Sequence, residues 1–154
     1  MLEYEVAAIY YFVAGIITAR SYFEEVPLDM LLPCVFYPTP APAASGFSVN
    51  AFMTEFAMYI KFMDRSTMAA YEMGEKVLQA IMGNRRKVPL VDETGKQTGK
   101  NFRVNMPKLK RIENGVYQME ISWNRHTRYD TKEVILARDI FMNGLPIGRE
   151  NVNV

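Results

Sequence analysis

Apolar and polar side chains alternate along the segment FAMYIKFM, residues 56–63. A period of two is typical of a β-strand, in which successive side chains point to opposite faces of the sheet. The second face of this segment is also mostly apolar, with Lys61 as the exception. The pattern therefore predicts a central strand that is covered on more than one side. Its first face is predicted to carry Phe56, Met58, Ile60 and Phe62.

The spacing of apolar residues changes to three or four directly after this strand, which predicts a helix over residues 67–82. Asp64 or Ser66 is expected to cap this helix by accepting hydrogen bonds from the free amide groups of its first turn. Gly83 and Asn84 are expected to end it. Its apolar stripe is predicted to consist of Met68, Tyr71, Val77, Leu78, Ile81 and Met82.

Similar patterns predict the elements before and after this pair. An apolar stretch predicts a first helix over residues 3–24, which Pro27 would end, and an aromatic-rich run predicts a strand over residues 31–37. Asn114 and Gly115 predict a hairpin turn because both residues tolerate a positive φ. The strand after this turn is expected to bury Tyr117, Met119, Ile121 and Trp123.

Two later segments have less regular patterns. The polar segment DETGKQTG, residues 92–99, predicts a turn or loop that two short strands could flank. Residues 133–142 fit either a further strand or a short helix. Residues 144–154 are predicted to form a loose terminus that becomes ordered on contact with a partner.

This order of elements predicts an α+β fold. We expect a mainly antiparallel sheet of four or more strands with two main helices packed on it. A length of 154 residues fits a single domain, residues 1–154, and neither an internal repeat nor a shift in composition marks a second one.

A proline-rich loop is predicted over residues 38–50, where PTPAPAASG combines three prolines with alanines. Such a composition favours an extended, polyproline-like backbone. Two interpretations remain open for this segment. It forms a surface loop, or it forms an arm that reaches a neighbouring subunit.

Charge is distributed unevenly along the chain, although the formal net charge is only +1. Residues 1–83 carry a net charge of −5, residues 84–112 carry +7, and residues 113–154 carry −1. The basic block includes a predicted basic loop over residues 84–101.

Three interpretations of this basic block are possible. It could bind nucleic-acid phosphates, although Phe102 is the one aromatic residue in it and provides no platform on which exposed bases could stack. It could also form an oligomer interface or a channel lining that faces the acidic first half of a neighbouring copy. The third interpretation is a solvated face.

Catalytic chemistry has no support in the sequence. His126 is the single histidine and stands beside Arg125 and Arg128, with no nucleophile at a spacing that fits a triad. Cys34 is the single cysteine and lies in an apolar run without a basic neighbour, as expected of an inert core thiol. No phosphate-loop spacing is present. We therefore expect no catalytic residue, metal site or cofactor.

The amino-terminal apolar run does not predict a membrane segment. It spans residues 6–17, which is short of the roughly 20 residues that cross a bilayer. Glu3 and Glu5 also precede it, where a signal peptide carries positive charge. A buried or amphipathic first helix is the better interpretation.

The layout of residues 3–130 resembles the tail terminator, or tail-completion, proteins of long-tailed bacteriophages. The similarity consists of the first helix, the strand and proline-rich loop in LLPCVFYPTP, the strand and helix in FAMYIKFMDRSTMAAYEMGEKVLQAI, and the hairpin strands in FRVNMPKLKRIENGVYQMEISWNRHTRYD. It is a pattern of element order and residue class and not an invariant motif.

This resemblance implies a structural protein of the virion and no enzymatic activity. Such proteins form a hexameric ring that caps the tail tube, stops its polymerisation and offers a docking surface to the head connector. The implied partners are other copies of the chain, the tail tube protein and the head-completion protein, with DNA only as the genome that passes through the channel and with no membrane. The protein would be assembled in the bacterial host cytoplasm and reside in the tail or neck.

The resemblance also indicates where contacts are expected. The loops at residues 38–50 and 84–101 would contact neighbouring subunits or the tube. The charged contacts, some of them lining the channel, would be Arg85, Arg86, Lys87, Lys96 and Lys100. The alternatives are another neck or head–tail connector protein and a small basic nucleic-acid-binding module.

Overall fold

Two long antiparallel strands form the centre of the molecule. The computed structural model describes residues 2–130, 141–142 and 145–146. Within them the elements are α1 (Leu2–Ala14), β1 (Arg20–Phe23), β2 (Cys34–Tyr37), β3 (Ala41–Gly46), β4 (Ala51–Met63), α2 (Thr67–Gly83), β5 (Lys87–Val91), β6 (Gln97–Arg103), β7 (Lys108–Glu113), β8 (Val116–Arg128), β9 (Phe141–Met142) and β10 (Leu145–Pro146). β4 and β8 have 13 residues each and pair along their whole length.

The main sheet has six strands in the order β1-β2-β4-β8-β7, and β3 also pairs with β4. β2 pairs with the carboxyl-terminal end of β4 and β3 with its amino-terminal half, so these two strands follow one another along the same edge. The pairing of β1 with β2 is parallel, and the other pairings in this sheet are antiparallel. With β5 and β6 as a separate hairpin, this architecture confirms the predicted α+β fold.

Both helices contribute to the hydrophobic core on one face of the main sheet. Phe56, Met58, Ile60 and Phe62 are all buried there, as their alternation predicts, beside buried residues of β8. From the helices, the core includes Ala8, Ile9, Val13, Val77 and Ile81.

Among the described residues, the opposite face of the sheet is covered at one end, so the prediction that β4 is covered on more than one side holds at Met63 and fails at Tyr59. Tyr59 is 40% exposed and Lys61 is partly exposed, because no described helix packs on this side. In the part of the chain that the structure describes, a small cluster built on Cys34, Met63 and Val116 covers one end of this face.

The junction between β4 and α2 follows the predicted boundaries, and the cap is Ser66. Its Oγ accepts a 3.1 Å hydrogen bond from the backbone N–H of Ala69. The Asp64 carboxylate accepts instead from the N–H of Arg65, at 2.7 Å. The backbone N–H of Asp64 also donates to the carbonyl of Gly115 at 3.0 Å, which fastens the β7–β8 turn to the junction.

The buried stripe of α2 agrees with the predicted one at Val77 and Ile81 and differs from it elsewhere. It consists of Ala70, Gly74, Val77 and Ile81, whereas Met68 is 64% exposed. Small residues occupy the contact because the helix lies close to the sheet: a Cβ on Gly74 would lie 2.7 Å from a methyl group of Leu109. Larger apolar side chains of the helix therefore lie on its flanks, including Met68, Tyr71 and Met82.

The first helix is shorter than predicted. It ends at Ala14, and residues 20–23 of the predicted helix form β1. Gly15 and the β-branched residues of the segment IIT, residues 16–18, explain this early end, because both kinds of residue lower helix propensity. The strand predicted over residues 31–37 begins only at Cys34, directly after Pro33.

The proline-rich segment is extended, but six of its residues form β3 and pair with β4 of the same chain. We call the unit made of β3, residues 51–55 and residues 124–128 the β-arm. No residue of the β-arm is buried, because the helices cover the sheet only from Phe56 and Trp123 onward. The predicted loop over residues 38–50 therefore contains one strand of this arm.

The predicted basic loop over residues 84–101 is mostly the β5–β6 hairpin, with the two flanking strands that the sequence suggested. The Asn114–Gly115 turn between β7 and β8 is confirmed, with φ of 78° at Gly115. β9 and β10 pair with each other, and most of the predictions for residues 133–142 and 144–154 lie outside the described residues.

Candidate assembly surfaces

The five basic residues singled out from the sequence are spread along the β5–β6 hairpin, from its base to its tip. Arg85, Arg86 and Lys87 are at its base, between α2 and β5. Lys96 lies in the turn at its tip, and Lys100 lies in β6. Base and tip are about 15 Å apart along β5 at about 3.3 Å per residue, and Lys100 lies between them at the middle of β6.

Backbone geometry sets the direction of the group at the base. Arg85 and Arg86 have positive φ values of 57° and 62°, and the N–H of Arg86 donates to the carbonyl of Ile81 at 2.8 Å. The guanidinium of Arg86 lies 3.5 Å from the carbonyl oxygen of Val104 and is partly buried. Arg86 is thus directed toward its own chain, whereas Arg85 and Lys87 are exposed.

A compact turn holds the tip of the hairpin. Oδ1 of Asp92 accepts hydrogen bonds from the hydroxyl of Thr94 at 2.6 Å, from the N–H of Thr94 at 2.8 Å and from the N–H of Lys96 at 3.0 Å. These bonds, the Thr94 hydroxyl foremost, lower the pKa of the Asp92 carboxyl below its ordinary value. Lys96 is therefore presented by a hydrogen-bonded turn.

A cavity of about 670 Å³ separates the start of α1 from the β5–β6 hairpin. One wall contains the Glu5 carboxylate, which forms an ion pair with Arg125 and accepts a 2.9 Å hydrogen bond from Nε1 of Trp123. Because this carboxylate already has two partners, it is not placed as a free general acid or base. Lys100 lines the same cavity.

The two side chains considered for chemistry lie apart from each other. His126 is in the β-arm, where its ring packs against Phe47 with 4.2 Å between the ring centroids. Cys34 is fully buried, and this burial, followed by the charge of Asp64, raises the pKa of its thiol. Raising the pKa keeps the thiol protonated and unreactive.

Two further properties concern the described part of the chain. It contains no group of three or more His, Cys, Asp or Glu side chains arranged to hold a metal ion. None of the helices there is long and apolar enough to cross a membrane.

Sequence reasoning missed the β-arm and the cluster formed by Glu5, Trp123 and Arg125. Glu5 and Trp123 are 118 residues apart, and no local pattern connects positions at such a separation. The sequence signal for the arm was that the alternation of apolar and polar residues in β8 stops at Trp123, and that the strand continues with polar side chains on both faces.

Comparison with known proteins links this fold to phage-like elements. No family model matches the chain. The chain is 25% identical over 122 residues to the phage-like element PBSX protein XkdJ of Bacillus subtilis (strain 168), a match that covers 79% of this chain and 84% of the relative. It is also 22% identical over 133 residues to the protein YqbJ of the same strain, covering 86% and 90% respectively. The chain is thus similar to a protein of a phage-like element over most of its length.

The chain also matches a solved structure at a low score. It is a chain from the virion of a native gene transfer agent particle, with 12% identity and a TM-score of 0.45. The match covers 80% of this chain and 94% of that one.

Proposed function

We propose that this chain is a structural protein of a phage virion and that it terminates the tail. Copies of the chain would form a hexameric ring on the last ring of the tail tube, stop its polymerisation and present a docking surface to the head connector. The observation that carries this proposal is the similarity to the PBSX protein over 79% of the chain. The order of elements, which resembles that of tail terminators over residues 3–130, supports the terminator role.

The exposed surfaces of the fold suit a subunit that works through contacts. One face of the main sheet carries Tyr59, Lys61 and Glu120 without a covering helix among the described residues. Rings of identical subunits need two different complementary surfaces on each copy. An open sheet face, an exposed β-arm and a basic hairpin provide several such surfaces on one small domain.

We assign the charged contacts of this ring to four of the five basic residues. Arg85, Lys87, Lys96 and Lys100 are exposed and point away from the core, so they can meet acidic groups of a neighbouring copy or the tube, or line the channel through which DNA passes. Arg86 has a smaller role, since its guanidinium faces the Val104 carbonyl of its own chain.

A stand-alone nucleic-acid-binding module is less well supported. Phe102, the one aromatic residue of the basic block, is partly buried and packs against Trp123 with ring centroids 5.9 Å apart. It therefore cannot stack on exposed bases.

Tube assembly in the phage that encodes this chain tests the proposal. Removal of the gene is expected to give tail tubes of uncontrolled length without heads, and the restored chain should return uniform tubes with the protein at their head-proximal end. Electron microscopy of labelled particles measures both properties. Uniform, normal-length tubes without attached heads in the deletion would contradict termination and favour another neck or connector protein.

The charged contacts have a separate test. The double variant Arg85→Glu, Lys87→Glu is expected to reduce the fraction of capped tubes at least tenfold, because two attractive contacts per copy become repulsive. The variant Lys76→Glu, an exposed charge reversal on α2, serves as the matched control and should assemble normally. Normal capping by the double variant would remove these residues from the interface.

A further inference from the structure

The turn between β3 and β4, residues 47–50, forms the tip of the β-arm and exposes two apolar side chains. Phe47 is 61% exposed and Val49 is 93% exposed. The N–H of Ser48 donates to the carbonyl of Ala51 at 2.9 Å, and the Oγ of Ser48 accepts from the N–H of Ala51 at 3.1 Å. The N–H of Tyr129 donates to the carbonyl of Asn50 at 2.9 Å, which ties the turn to the end of β8.

Aromatic contacts hold this tip in place, although no core lies beneath it. The ring of Phe47 packs on His126, and the ring of Phe52 lies 5.6 Å from that of Tyr129. Burying a Val or Phe side chain contributes about 1.5–3 kcal/mol, and the arm gains little of this in the isolated chain. Apolar side chains displayed on an ordered projection are typical of a contact surface.

A complementary concave surface lies at the base of the arm on the same molecule. This aromatic groove has a volume of about 550 Å³ and is bounded by α1, the end of β1 and the segment after β2. Its floor contains Tyr10, Phe23 and Tyr37, whose ring centroids lie 5.2–5.4 Å apart. Phe23 is 50% exposed, so the groove offers apolar surface that the chain does not cover. The full lining is Val6, Ala7, Tyr10, Tyr11, Phe23, Glu24, Tyr37, Pro38, Thr39 and Pro40.

A copy of the chain cannot place its own tip in its own groove. Pro40 lines the groove, and β3 runs from there in an extended conformation to Gly46, directly before Phe47. Six residues of strand at about 3.3 Å each separate the two by about 20 Å. The tip of one copy can therefore fill only the groove of another copy.

The groove and the tip each carry charged residues near the proposed contact. Glu24 is the one acidic or basic residue that lines the groove, and it lies exposed at the rim. The surface around the tip contains the exposed cation Arg128, together with Asp130. A tip seated in the groove would bring the Arg128 guanidinium of one copy toward the Glu24 carboxylate of the next.

We propose that Phe47 and Val49 of one copy insert into the aromatic groove of the next copy, with Arg128 facing Glu24 across the contact. The two surfaces differ, so the contact is head-to-tail and propagates from copy to copy until a ring closes. This inference rests on the proposed function only in placing the contact within a ring at the end of the tube. The contact itself is a property of this chain.

Cross-linking between two singly labelled chains tests the contact directly. Val49→Cys on one chain and Thr39→Cys on another place thiols at the tip and at the groove wall, both at exposed positions. The native Cys34 is buried and should not react. A short bis-maleimide is expected to join the two variants in assembled tails and in concentrated solution. The control replaces Val49→Cys by Leu28→Cys, which is equally exposed but lies outside the groove and the tip.

Complementation gives a second measurement. The double variant Phe47→Ser, Val49→Ser removes the apolar side chains of the tip, and the variant Thr39→Trp fills the groove. Neither variant should self-associate. Both should keep the wild-type circular dichroism spectrum, which shows that they are folded. Each change is expected to weaken self-association about 30-fold or more, the range of residues that dominate an interface. A mixture of the two should form dimers and nothing larger, because one intact tip meets one intact groove.

The outcomes separate this inference from the proposed function. Cross-linking no stronger than in the Leu28→Cys control, or full ring assembly by either blocked variant, would overturn the inference even when the tubes end normally. Specific cross-linking in a protein that does not bind tube ends would support the contact and contradict the terminator role.

Discussion

Nε1 of Trp123 donates a 2.9 Å hydrogen bond to the carboxylate of Glu5, so the first helix is joined to the central strand pair. The same carboxylate forms an ion pair with Arg125, whose guanidinium lies 5.1 Å above the ring of Phe56. Trp123 is fully buried, and Glu5 supplies the acceptor for its N–H. This cluster connects α1 to the place where the core ends and the β-arm begins.

Glu5→Ala is expected to lower the free energy of unfolding by about 2–3 kcal/mol, because it leaves the buried indole N–H without an acceptor and Arg125 without its carboxylate. Glu5→Gln keeps an acceptor and should cost about 1 kcal/mol. Urea unfolding followed by the fluorescence of Trp123, the single tryptophan, measures both changes. Glu72→Ala, at an exposed position on α2, is the control, and an equal loss in all three variants would contradict the role of the cluster.

Comparing Gly115 with Gly99 separates the cost of a positive φ from the cost of a steric clash. Their φ values are 78° and 84°, so alanine is strained at both positions by about 1–2 kcal/mol. At residue 115 a Cβ would also lie 2.6 Å from the carbonyl oxygen of Asp64, whereas at residue 99 it would meet nothing within 4 Å. We expect Gly115→Ala to destabilise the fold by at least about 2 kcal/mol more than Gly99→Ala in thermal or urea unfolding. Equal effects would mean that the turn can move away from the β4–α2 junction.

Ser66→Ala should reduce stability by about 1 kcal/mol, since it removes the hydroxyl that accepts from the N–H of Ala69. Ser66→Asp retains a side-chain acceptor and should be nearly neutral. Asp64→Ala is expected to cost less than Ser66→Ala, because Asp64 accepts only from its neighbour Arg65. Chemical unfolding of the three variants ranks these effects, and a larger loss in Asp64→Ala would assign the cap to that residue.

The turn of the β5–β6 hairpin should be sensitive to acid. Its hydrogen bonds lower the pKa of Asp92 below the ordinary value of 3.8, because they stabilise the ionised carboxylate in the folded hairpin. The contribution of this carboxylate to the stability of the folded hairpin is therefore fully present at pH values above the pKa of the unfolded state. It is lost as the pH falls through the lower pKa of the folded state. NMR titration of the Asp92 carboxyl carbon should give a midpoint below 3.8. Thr94→Ala removes the hydroxyl hydrogen bond that lowers the pKa of Asp92 most, so it should raise that midpoint. A midpoint unchanged by this substitution would contradict the role of the Thr94 hydroxyl.

Local patterns predicted the elements whose contacts are close in sequence. The period of β4, the boundaries of α2 and the Asn114–Gly115 turn all depend on residues within a few positions of one another. The buried stripe of α2 was predicted correctly at Val77 and Ile81 but wrongly at Met68, Tyr71 and Met82, because the prediction used apolarity alone. The close approach at Gly74 selects small residues for the contact, and only the tertiary fold defines that approach.

The candidate surfaces were predictable only in part. The basic block was visible in the sequence, but the arrangement of its residues along a hairpin depends on the pairing of β5 with β6. The tip and the groove could not be found from the sequence, because Phe23 lies in a segment predicted as helix and Phe47 in a segment predicted as loop. Their relation depends on β2 and β3 sharing one edge of β4.

The uninterrupted pairing of β4 with β8 across 13 residues has a consequence for variation in this protein. Adding two residues to each strand of the β-arm would extend its reach by about 7 Å and preserve the orientation of every side chain. Adding a single residue would turn the outer side chains to the opposite side of the ribbon. Natural changes in arm length are therefore expected in even steps, which would let related chains fit rings of different diameter without altering their shared core.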